Sequence, residues 1–154
     1  MGLPKSTTLC VWSGCVWALI GCAVKYVADP AMGIQAAITS STSSIVAAPL
    51  IGVLMGRFSP LFDELPVVAR LLLACATLYA ASFLFVLAPG LVALATSPLL
   101  AVDRLSLSRV LSGAAFGTFF GLIMTGAFVP LVPLAYANHL LIAKARNRER
   151  IRAH

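Results

Sequence analysis

The chain has 154 residues, of which 60% are hydrophobic and 10% charged, and its mean hydropathy is +0.99. Soluble domains carry about a quarter of their residues as charges, so this composition excludes a water-facing globule and selects a protein embedded in lipid. The net charge of +6 does not form a patch on a soluble face, because five of the eleven basic residues sit in the terminal stretch "KARNRERIRAH". That placement argues against nucleic acid as a partner and for anionic membrane headgroups.

At about 20 residues per traverse, the pattern predicts an all-α integral membrane protein. It has four transmembrane helices over 1–142, a short interfacial segment between the third and fourth, and a basic tail over 143–154. The first span is expected over 8–27. It is long enough to cross a bilayer and no A-x-A site follows it, so it reads as a span and not a cleaved leader. Lys25 and Tyr26 mark its far interface, and "ADPAMG" makes the turn.

The second span is expected over 33–56 and contains six consecutive hydroxyl residues, Thr39 to Ser44. If these formed a loop, the remaining apolar piece would be about 18 Å long, against a hydrocarbon core of about 30 Å. A continuous helix follows, in which Ser and Thr bond to carbonyls one turn back and Pro49 bends the middle. "RFSPLFDELP" is a connector, with Asp63 as N-cap of the third span and Pro66 in its first turn. The third span is expected over 65–88, stopping at Pro89-Gly90. Arg70, one turn inside it, snorkels back to the near interface. Residues 90–109 are broken by Ser97-Pro98 and Asp103-Arg104 and read as interfacial, with a short helix from Pro98 capped by Ser97. The fourth span is expected over 109–141, kinked at Pro130 and Pro133.

Four spans place both termini on one side. That side holds Lys5, Arg57, Arg70, Lys144, Arg146, Arg148, Arg150 and Arg152, against Lys25, Arg104 and Arg109 opposite. The bias puts both termini in the cytoplasm, across an inner or plasma membrane.

Small residues recur every fourth position: Ala36, Ser40, Ser44, Ala48, Gly52 and Gly56 in the second span, Cys10, Gly14, Ala18 and Cys22 in the first, Gly113, Gly117 and Gly121 in the fourth. Such rows let another helix backbone approach closely, which in lipid is the main source of helix association. The hydroxyl run covers every direction around a helix, so it reads first as packing surface. The alternative has Thr39, Ser40, Thr42 and Ser43 lining a polar path through a small oligomeric transporter or channel.

Catalytic chemistry is missing from the sequence. Every acid, Asp29, Asp63, Glu64, Asp103 and Glu149, falls in a loop, at a span end or in the tail, which is poor support for an ion-coupled pump. No phosphate loop, HExxH or GxSxG occurs. The cysteine spacing C-x4-C-x6-C fits no metal pattern, so no metal site is expected. His139 is the one histidine near a span; as a lone axial imidazole it would hold a haem or chlorophyll-type pigment. The leading expectation is a non-catalytic accessory subunit of a larger membrane complex, of respiratory, photosynthetic or translocation type. Its small faces would meet other membrane subunits and its tail, Lys144, Arg146, Arg148, Arg150 and Arg152, would dock on lipid headgroups or an acidic partner.

Overall fold

The computed structural model describes residues 5–96 and 104–153. The expected helix from Pro98 with its Ser97 cap lies outside the described residues, as does the side chain of Arg152. Among the described residues there is no strand. The elements are α1 (Lys5–Ala28), a 3-10 turn (Pro30–Met32), α2 (Gly33–Ser40), α3 (Thr42–Gly56), α4 (Ser59–Glu64), α5 (Val67–Thr96), α6 (Arg104–Met124) and α7 (Phe128–Ala153). Among the described residues, five helical stretches are long and apolar enough to cross a membrane: Lys5–Ala28, Thr42–Glu64, Val67–Thr96, Leu107–Met124 and Phe128–Ile151. The fold is compatible with a multi-pass integral membrane protein.

The expected continuous helix over 33–56 is interrupted at Ser41, whose φ of −105° and ψ of 2° leave the helical region. The hydroxyls themselves explain the break. Thr39 donates to the Gln35 carbonyl, Ser40 to that of Ala37, and Thr42 to those of Ile38 and Thr39. These bonds compete with the backbone ladder for the same acceptors. The ladder tightens at the break, where the Ser41 N–H donates to the Ile38 carbonyl at 3.0 Å, and resumes with Ile45 N–H to the Ser41 carbonyl at 2.9 Å.

The third span does not stop at Pro89-Gly90; α5 runs through both to Thr96. Proline has no N–H, so it leaves the carbonyl four residues earlier, that of Phe85, without its ladder partner. The Ser44 hydroxyl of α3 donates to that carbonyl. One member of the hydroxyl run thus repairs the proline defect of a neighbouring helix. Asp63 does not cap the third span either. It lies inside α4, and its carboxylate accepts from the Asn147 side-chain amide at 2.7 Å. Arg70 reaches back to the same end, donating to the Leu65 and Asp63 carbonyls at 2.7 and 3.0 Å, where the last carbonyls of α4 have no intrahelical donor.

The fourth span is divided in two. Gly126, with φ +62°, takes the left-handed conformation that ends α6, as glycine often does after a helix. Pro130 sits in the first turn of α7, where a missing N–H costs no ladder bond. Thr125 closes the gap: its hydroxyl donates to the Gly121 carbonyl at 2.6 Å and accepts the Ala127 N–H at 3.4 Å.

This junction is inside the bundle, not at its edge. Ala127, Leu122 and Leu131 share one buried cluster with Ala74 and Leu78 of α5. Those α5 positions lie roughly 10–17 Å from the start of that helix at 1.5 Å per residue. At the other extreme, the Ser6 N–H and hydroxyl both donate to the Glu149 carboxylate, at 2.9 and 2.6 Å. The start of α1 and the end of α7 therefore lie at the same end of the bundle.

Candidate functional site

Three places in the bundle carry features beyond generic apolar packing: the α1–α3 seam, a polar cluster around His139, and a half-open cavity. The seam follows directly from the small residues. Cys10, Ala18, Ala48 and Ser44 are at most 3% exposed, and Gly14, Gly52 and Gly56 are buried with them. A Cβ on Gly14 would land on the Ala48 carbonyl oxygen, and one on Gly52 would land on that of Cys10. Gly56 leaves room for the Cys10 sulfur in the same way. The two backbones touch because these positions have no side chain to hold them apart.

Other members of the small-residue rows make no such backbone contact among the described residues. Ala36 and Ser40 are exposed, because the break at Ser41 takes α2 off the line of α3. On α6, no heavy atom of the described residues lies within 4 Å of where a Cβ on Gly113 or Gly121 would sit, and Gly117 meets Val86 at 3.8 Å. Among the described residues the main packing of α6 is against α5; Gly113 is left bare, while Gly117 and Gly121 border the half-open cavity.

His139, on α7, is 4% exposed. Its Nε2 lies 2.7 Å from the Thr77 hydroxyl of α5 and its Nδ1 3.3 Å from the Ser59 hydroxyl of α4. The Phe62 ring stacks on it at 5.1 Å and 17°, and Tyr136 meets Phe62 edge-on at 4.9 Å. Thr77 also lies 2.9 Å from the Leu73 carbonyl. A hydroxyl has one hydrogen. If Thr77 gives its hydrogen to that carbonyl, Nε2–H donates to Thr77 and Ser59 donates to Nδ1, and every donor has an acceptor. The opposite tautomer leaves the Ser59 hydrogen unused. Both ring nitrogens are therefore engaged, and the space beside them holds about 40 Å³. This does not fit an axial ligand to a haem or chlorophyll-type macrocycle. Sequence reasoning singled out His139 but had no means of finding Ser59, Thr77 or Phe62, which come from other helices.

The cavity, about 360 Å³, lies between α1, α3, α5 and α6. Its walls include Trp17, Ile20, Phe85, Leu78 and Leu122, and Lys25 stands on its lining. Two buried hydroxyls on that lining, Ser41 and Thr118, have no hydrogen-bond partner among the described residues. They are 1% and 2% exposed. The run Thr39 to Ser44 therefore contributes Ser41 and Ser44 to the interior, while Thr39, Ser40 and Thr42 are exposed. Compared with family models, curated proteins and solved structures, this chain matches none.

Proposed function

We propose that the chain is a non-catalytic structural subunit of a larger membrane assembly and that α6 is the helix it offers to a neighbouring chain. The observation that carries this reading is the unmatched glycine row of α6. In the same molecule, Gly14 of α1 and Gly52 of α3 bring two backbones into contact. A glycine ridge facing lipid gains nothing that leucine would not gain better, since association in lipid comes from close contact with another helix. Among the described residues Gly113 meets nothing, so its low profile suits the approach of a neighbouring helix. The basic tail continues α7 as a helix to Ala153, a form suited to lying along headgroups or an acidic neighbouring surface.

The Gly113→Leu variant tests this. It adds a large side chain where the folded chain has open space, so the bundle is expected to keep its helicity and melting behaviour. Migration on a native gel in mild detergent is expected to shift to a smaller species, with companion chains lost. A shift with no other polypeptide involved makes the partner a second copy of this chain. Unchanged migration and companions end the role of α6. The transport reading has less support, because Thr39, Ser40 and Thr42 bond to carbonyls of their own segment on the outside of the bundle.

The same reading assigns four traverses to five apolar helices. An odd number of crossings would separate the termini, whereas Ser6 and Glu149 are bonded to each other. Helices α6 and α7 then share one broken traverse, and the lysine and arginine bias puts both termini on the cytoplasmic face. With the four native cysteines replaced, single cysteines at Lys5 and Arg150 are expected to react with an impermeant maleimide from the same side of sealed vesicles. Reaction from opposite sides gives five crossings and removes the shared traverse.

A further inference from the structure

Independently of any assembly, we propose that the cavity between α1, α3, α5 and α6 binds a single-chain anionic amphiphile. Its acidic head would meet Lys25 and Ser41, and its hydrocarbon would lie along Trp17, Phe85, Leu78 and Leu122. The volume of about 360 Å³ falls within the range of small-molecule sites, about 300–1,000 Å³. A whole helix, about 10 Å across, does not fit, whereas a flexible chain does.

The polar groups give the ligand its direction. The Phe85 ring packs against Gly21 of α1, and its carbonyl takes the Ser44 hydroxyl of α3. Gly21 and Ser44 therefore stand at one level of an antiparallel pair. One further turn along each helix brings Lys25 level with residues 40 and 41. Lys25 and Ser41 thus mark the same end of the cavity. The Lys25 ammonium has no ion-pair partner among the described residues, and low-dielectric walls strengthen its attraction for an anion. Ser41 and Thr118 are buried hydroxyls without partners among the described residues, an arrangement that is unfavourable until an acceptor arrives. An apolar wall alone would accept any hydrocarbon; the cation and the Ser41 hydroxyl at one end select a chain with an acidic head.

Two sources share this chemistry, a free single-chain acid and the acyl arm of a bilayer phospholipid. The chain has two tryptophans, of which Trp12 is exposed and Trp17 lines the cavity. A Trp12→Phe variant of the full chain, delipidated in mild detergent, therefore reports from the site alone. Dodecanoate brominated along its chain is expected to quench Trp17 saturably and to be displaced by plain dodecanoate, with dodecanol at least fivefold weaker. Lys25→Gln is expected to weaken dodecanoate about tenfold and leave dodecanol unchanged, the scale of losing one charge-assisted hydrogen bond. Ser41→Ala is expected to weaken both ligands about threefold. Quenching that never saturates, equal affinity for acid and alcohol, or displacement by two-chain phospholipid alone would overturn the proposal. The acid-against-alcohol comparison uses wild-type walls, so it decides the matter even where a wall variant fails to fold.

Discussion

Gly52→Ala is expected to destabilise the bundle strongly. The added carbon would land on the Cys10 carbonyl oxygen, with the Gly14 Cα 2.8 Å away. Both are backbone, so no rotamer change can make room, and α1 and α3 must separate along their whole seam. Overpacking a rigid site costs about 1–3 kcal/mol, occasionally more. Parting two backbones belongs at the upper end, about 3 kcal/mol. Unfolding by sodium dodecyl sulfate in mixed micelles, followed by helical circular dichroism, measures it. Gly113→Ala is the internal control. It adds the same methyl where nothing lies within 4 Å, and exchange of glycine for alanine inside a helix then stabilises by about 0.5–1 kcal/mol. Opposite signs for the two variants are the expected result. Equal effects would mean that the seam is not held by backbone contact.

The seam was legible because its signal is local: four-residue spacing within one helix marks a low ridge, whatever the partner turns out to be. The division of the fourth span was also legible in principle. Gly126, followed by Pro130 four residues later, is a helix stop followed by a first-turn proline, a recognised boundary pattern; reading Pro130 as a kink hid it. Pro89-Gly90 misled for the opposite reason. The pair carries a strong local stop signal, yet α5 continues, because the Phe85 carbonyl finds its donor on Ser44, 41 positions away. No window along the chain contains that bond. The cavity was invisible for the same cause. Of six adjacent hydroxyls, periodicity cannot say that Ser41 faces inward without a partner while Thr42 beside it is exposed. That is settled by where α5 and α6 stand.

His139→Ala is expected to loosen the end of the bundle that carries both termini. The ring fills the space between α4, α5 and α7 and stacks on Phe62, which is 0% exposed. Removing a buried aromatic side chain costs about 3–5 kcal/mol. The Ser59 hydroxyl, 0% exposed, would also lose its acceptor, whereas Thr77 keeps the Leu73 carbonyl. A cycle separates packing from hydrogen bonding. His139→Phe keeps the ring and its stacking but orphans Ser59, at a cost of about 1–3 kcal/mol. Adding Ser59→Ala to His139→Phe removes the orphan, and most of that loss is expected to return, since replacing both partners by apolar groups is close to neutral. The same detergent titration reads all three variants. If the double variant is no better than His139→Phe, the Ser59 bond is not what holds the ring. A visible absorption band in the purified protein that disappears with His139→Ala would make the imidazole a ligand, at odds with both of its nitrogens already facing hydroxyls.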